Sequence, residues 1–67
     1  MPQELYIWRL PEVCRRTGYG HSTLYDLIRR GEFPAQIRLG RRAVGWDSRA
    51  VQAWIESRIA ASSGGTQ

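Results

Sequence analysis

Leu24, Leu27 and Ile28 recur at i, i+3 and i+4, the spacing that lines three aliphatic side chains along one stripe of a helix. At about 100° per residue the opposite side carries Ser22, Asp26 and Arg29, with His21 and Tyr25 on one flank and Thr23 and Arg30 on the other. The helix is framed at both ends. Gly18 and Gly20 supply a tight turn before it, Gly31 falls where a left-handed C-terminal cap belongs, and Pro34 prevents continuation. Upstream, Leu10, Val13, Cys14 and Thr17 form a second stripe in a helix that opens with Pro11 at its first position and Glu12 in its first turn, and that ends at Gly18. Two short helices joined by a glycine-containing turn are the parts of a helix-turn-helix, whose second helix enters the major groove by its N-terminal half.

After Pro34 the period changes from helical to alternating. Ile37 and Leu39 point one way and Arg38 the other; GRRA turns the chain, and Val44 and Trp46 resume the alternation. Residues 36–46 are therefore expected to form a β-hairpin with its four apolar side chains on the face away from the arginines. Residues 5–9, LYIWR, read as a short strand that cannot stand alone, preceded by a loose arm over residues 1–4. Asp47 is a good N-cap, and Trp46 and Val51 are spaced to staple a third helix over residues 48–59 that turns Val51, Trp54, Ile55 and Ile59 inward. Residues 60–67 lack any large apolar side chain and are expected to form a disordered tail. The expected fold class is α+β, a small winged helix-turn-helix in one domain over residues 5–59. A chain of 67 residues can bury only one small core.

Charge sharpens this picture. Ten arginines and no lysines stand against six acids, for a net charge of +4 that suggests an anionic partner. Arginine favours bidentate contact to phosphate or guanine. Arg38, Arg41 and Arg42 gather at the predicted hairpin tip, as in a wing that grips phosphates or lies along a minor groove. Arg38 is read as a phosphate contact, and Arg41 and Arg42 as contacts to phosphate or to the minor groove. On the helix face, Arg29 is expected to reach a guanine or a phosphate, while Asp26 either accepts from a cytosine amino group or orients a neighbouring arginine. Thr23 and Tyr25 carry hydroxyls suited to phosphate.

Other function classes lose ground on the same residues. One histidine, one cysteine, no P-loop and no metal-ligand cluster leave no basis for an enzyme, a metal site or a cofactor. Cys14 reads as a small core residue, and Trp46 and Trp54 as core rather than base-stacking platforms. No apolar run approaches the ~18 residues of a membrane span, and a cytoplasmic protein is expected.

The order R-L-x-E-V, T-G, S-T-L-Y, G-x-F-P, L-G-x-R-A-V-G-W and A-W, running from Arg9 and Leu10 through Ser22 to Tyr25, Phe33, Pro34 and Leu39 to Trp46 and Trp54, closely resembles the AlpA-type small regulators of phages and prophages. These lie within the wider excisionase and MerR-like group, and the similarity covers residues 8–58. The resemblance implies a winged helix that binds double-stranded DNA and regulates phage or prophage genes, often an integrase gene, or that acts as an excisionase, bending DNA and directing integrase. It departs at Gly20, where such proteins usually have serine, and at Asp26, where a basic residue is common. Partners that follow are DNA, further copies on tandem or inverted sites, and an integrase. A protein-interaction module built on the aromatic N-terminal strand or the third helix is the competing class.

Overall fold

The computed structural model describes residues 4–65. In chain order it contains β1 (Ile7–Trp8), α1 (Leu10–Thr17), α2 (His21–Arg29), β2 (Ile37–Arg38), β3 (Val44–Asp47) and α3 (Ser48–Gly65), the small winged helix-turn-helix expected from the sequence. α1 starts one residue earlier than expected, at Leu10, so Pro11 lies in the first turn but not at its first position. Its missing N–H still costs nothing there, because first-turn amides have no intrahelical acceptor. Gly18 ends α1 at φ 82°, its N–H donating to the Cys14 carbonyl at 2.8 Å. α2 closes in a Schellman motif: Gly31, at φ 74°, donates to Ile28 O at 3.0 Å, and Glu32 donates to Leu27 O at 2.8 Å.

Val13, Leu24, Leu27, Phe33, Trp46 and Val51 form the buried core, with Leu10, Cys14, Tyr25, Ile28, Trp54 and Ile55 packed around it. Trp46 and Val51 are both wholly enclosed, as a hydrophobic staple across the start of α3 requires. Asp47 caps that helix, accepting the Arg49 N–H at 2.9 Å. Ile59, expected to point inward, is 59% exposed: α3 outruns the sheet and helices it packs on before that residue is reached. The helix itself continues to Gly65, whereas an unstructured tail is expected from Ala60; alanine and serine follow Ile59 with no proline to stop the backbone.

β3 is the central strand of an antiparallel sheet ordered β1-β3-β2. Ile7 pairs with Asp47 and Trp8 with Trp46 on one side, and Ile37 with Gly45 and Arg38 with Val44 on the other. The N-terminal strand thus finds its partner in the far arm of the hairpin, over a shorter span than residues 5–9. The hairpin register corrects the expected apolar face. Leu39 N–H bonds to Ala43 O at 2.7 Å, leaving a three-residue turn, Gly40 to Arg42, that sets odd residues opposite odd and even opposite even. Ile37 and Leu39 therefore share a face with Gly45, and Arg38 shares the other with Val44 and Trp46. Ile37 and Leu39 are accordingly 41% and 44% exposed, while Trp46 is buried. Gly45 is fixed by this arrangement, since a Cβ there would sit 2.5 Å from Ile7 Cγ2 and 3.3 Å from the Trp8 carbonyl oxygen.

Candidate nucleic-acid interface

The outer face of α2 is polar and open. His21, Ser22 and Thr23 are exposed in its first turn, which begins after Gly20 without a side-chain cap. First-turn N–H groups that no side chain caps point along the helix axis toward whatever lies before it, a position that suits an anionic oxygen. Tyr25 turns partly inward: it is half-buried, its ring tilted against Trp46 with centroids 6.5 Å apart.

Asp26 is the hub of this face. Its Oδ1 accepts from Arg29 Nη2 at 2.9 Å, and its Oδ2 lies 3.2 Å from Arg30 Nη2. Arg30 also lies 3.8 Å from Glu32. Two arginines and two acids thus compensate one another at and just beyond the C-terminal end of α2. Such exposed i,i+3 and i,i+4 pairs contribute only about 0.3–0.5 kcal/mol each, so what they set is side-chain placement more than stability. Arg29 keeps a 74% exposed side chain even while held.

The wing is built differently. Arg41 and Arg42 are exposed at its tip and form no salt bridge among the described residues. Arg38 is exposed too, but its Nη1 donates to the turn carbonyls of Arg41 at 3.1 Å and Gly40 at 3.5 Å, so it braces the loop from the β2 side. Among the described residues none of the three forms a salt bridge with an acid.

Helix and wing are joined by the segment from Arg30 to Gln36, which two indoles hold. Trp54 Nε1 donates to Glu32 O at 2.8 Å, Trp46 Nε1 donates to Pro34 O at 3.1 Å, and the buried Phe33 ring meets the Trp54 ring edge-on at 4.9 Å. Tyr19, in the turn before α2, meets Trp54 edge-on at 6.0 Å. These contacts fix where α2 and the wing stand relative to α3. The other arginines are mostly occupied. Arg16 and Arg15 share Glu12 at 2.6 Å each, which holds its carboxyl below the usual range, Arg16 contributing most. Arg49 does the same for Asp47 by its side chain and then its backbone N–H.

The structure brings Ser22, Asp26 and Arg29 onto one face, as the helical period predicts, and places Arg41 and Arg42 together at the hairpin tip. Sequence reasoning offered Asp26 as orienting a neighbouring arginine without naming Arg30, and it missed the pairing of Arg30 with Glu32 and that of Arg15 and Arg16 with Glu12. The i,i+3 and i,i+4 spacing of acid to arginine carried that signal in every case but Arg30 with Glu32. Among the described residues no group of three or more His, Cys, Asp or Glu side chains is placed to hold a metal, and no helix is long and apolar enough to cross a membrane.

Residues 6–59 match the family described as "Prophage CP4-57 regulatory protein (AlpA)". An "Uncharacterized protein ORF88" of Enterobacteria phage P4 is 48% identical over 58 residues, covering 87% of this chain and 65% of that protein. The chain therefore spans just under two thirds of the phage P4 relative. The "DNA-binding transcriptional activator AlpA" of Escherichia coli (strain K12) is 33% identical over 58 residues, covering 78% of this chain and 83% of that protein. No solved structure matches.

Proposed function

The chain belongs to the AlpA family of prophage regulatory proteins, and on that premise we propose that it binds double-stranded DNA sequence-specifically and regulates transcription of phage, prophage or mobile-element genes, an integrase gene among them. The observation that carries this reading is the pairing, on one core, of an open polar helix face with a hairpin tip whose Arg41 and Arg42 form no salt bridge among the described residues. α2 is the reading element: Ser22, Asp26 and Arg29 meet base edges, while His21, Thr23, Tyr25 and Arg30 flank them toward the phosphates. Arg41 and Arg42 grip phosphate or the minor groove beside that site. Arg38 serves by bracing the turn that presents them.

A module this small offers roughly 600–1,000 Å² of contact, so several copies on tandem or inverted sites supply the specificity that one lacks. Footprinting on DNA flanking the gene and any adjacent integrase gene tests the proposal. A protected site that survives excess scrambled duplex, extending as protein is added, is the expected result. Equal binding to operator and scrambled DNA at every salt concentration overturns sequence-specific regulation.

A further inference from the structure

β1 is an edge strand, and among the described residues no strand pairs with its outer side. Tyr6 N–H donates to Ser48 Oγ at 2.9 Å and Tyr6 O accepts from Ser48 N–H at 2.9 Å, extending the pairing of β1 with β3 by one residue. Antiparallel ladders alternate, so with Tyr6 and Trp8 turned toward β3 the N–H and carbonyl of Ile7 point away from it. The same alternation sets the side chains of Tyr6 and Trp8 on the helix-facing side of the sheet with Trp46.

A cleft of about 480 Å³ opens at that place, lined by Glu4, Tyr6, Trp8, Arg16 and Gln52. Arg16 dominates its chemistry. Its guanidinium stacks on the Trp8 ring at 4.5 Å, and its Nε donates to Glu12 at 2.6 Å, so the group is held in position. Its two terminal NH₂ groups donate no hydrogen bond among the described residues. The Glu4 carboxylate at the rim accepts from the Tyr6 hydroxyl of its own strand. An aromatic wall, a fixed cation with free donors, the Gln52 amide and a strand edge with one free N–H and C=O thus converge on one opening.

We propose that this edge receives an extended acidic peptide of a partner protein, laid beside β1 as a further strand with one carboxylate side chain in the cleft. The peptide backbone pairs with Ile7, the alternate side chain that faces the helices enters beside Trp8, and its carboxylate takes the free donors of Arg16. Donor geometry selects this occupant, since Glu12 takes only the Nε of Arg16 and a carboxylate accepts from its two remaining NH₂ groups at once. No residue of the α2 outer face or of the wing is used, so the site stands apart from the DNA-binding proposal and leaves that surface free.

The test is amide and indole NMR of the full ¹⁵N-labelled chain, titrated with a capped seven-residue peptide of alternating valine and threonine carrying one central glutamate. A second peptide has glutamine in that place. Shifts should appear at the Ile7 amide, the Trp8 indole and the Gln52 side chain, with the glutamate peptide binding about tenfold more tightly. Arg16→Gln should erase that difference with the melting temperature nearly unchanged; if the variant does not fold, the two-peptide comparison on the native chain decides. Equal binding of both peptides, or shifts elsewhere, overturns the proposal. So does a random duplex that moves the same Trp8 and Arg16 signals, which gives the cleft to DNA phosphate. Concentration-dependent shifts there in peptide-free protein overturn it in favour of a second copy.

Discussion

α2 and the wing both carry arginine, yet they hold it in opposite ways. On α2 and its C-terminal cap, Arg29 and Arg30 are compensated by Asp26 and Glu32 within 3.8 Å, so this region presents polar groups in fixed positions with little net charge. On the wing, Arg41 and Arg42 have no acid nearby among the described residues, and the local charge is undiluted. Long-range attraction to a polyanion grows with net charge, whereas discrimination among bases needs donors and acceptors held in place. On the proposed function, these two tasks fall to two different elements. One core keeps them in register.

The largest effect should come from removing what both elements share. Trp46 is fully buried, its Nε1 bonds Pro34 O, and its ring meets Tyr25 of α2. Trp46→Ala should cost about 3–5 kcal/mol, comparable with the whole stability expected of so small a domain. Thermal unfolding followed by circular dichroism should show the transition lost or moved to low temperature, and DNA binding should vanish for operator and random duplex alike. Retention of either binding mode by a folded variant would mean that helix and wing do not depend on a common core.

Doubly replacing the wing arginines separates the elements instead of losing both. Neither Arg41 nor Arg42 packs on the core, so Arg41→Ala with Arg42→Ala should leave melting unchanged. If each meets one phosphate, the slope of log K against log salt should become shallower by about 1.8, with affinity falling about equally on operator and scrambled DNA. A loss concentrated on A·T-rich sites would instead put these side chains in the minor groove. An unchanged slope would take the wing out of the interface.

Asp26→Ala tests the helix side and should act in the other direction. Freed of its carboxylate, Arg29 and Arg30 gain mobility and α2 gains net positive charge, so binding to scrambled duplex should strengthen and the salt slope steepen by up to about 1.8. Preference for the operator should fall by about tenfold, the scale of one well-placed base contact. Competition titrations at two salt concentrations measure both quantities. A variant that weakens on all DNA equally would mark Asp26 as a helix-stabilising residue with no part in reading.

These particular residues also show how much could be read before the structure. The helical stripes, the glycine ends of α1 and α2 and the Asp47 cap were legible, because each depends on residues within about four positions of one another. The Ser22, Asp26 and Arg29 face was legible for the same reason. What was misread depends on register or on distant chain. Counting alternation across the turn put Ile37 and Leu39 on the core face, but a three-residue loop reverses that parity, and nothing in the apolar pattern alone fixes loop length. Pairing of β1 with β3 joins residues about forty positions apart. Ile59 followed the correct helical period and still faces solvent, because period tells which stripe a residue is on and not where the partner surface ends.

Arg38 gives the smallest expected effect and the finest division within the wing. By charge and position it groups with Arg41 and Arg42 as a phosphate contact, yet its guanidinium already donates to Arg41 O and Gly40 O, and register puts it on the face of Val44. A side chain engaged with its own turn gains less from a phosphate, since those carbonyl bonds are lost if it swings out. Arg38→Ala should therefore flatten the salt slope by clearly less than the ~0.9 expected of a full phosphate contact. It should also loosen residues 40–42, visible as faster amide exchange there with the melting temperature shifted only slightly. Arg38→Gln, which keeps a donor within reach of the carbonyls, should restore most of the protection. A slope change of ~0.9 with turn protection intact would return Arg38 to the phosphate-gripping set and leave the wing with three equivalent arginines.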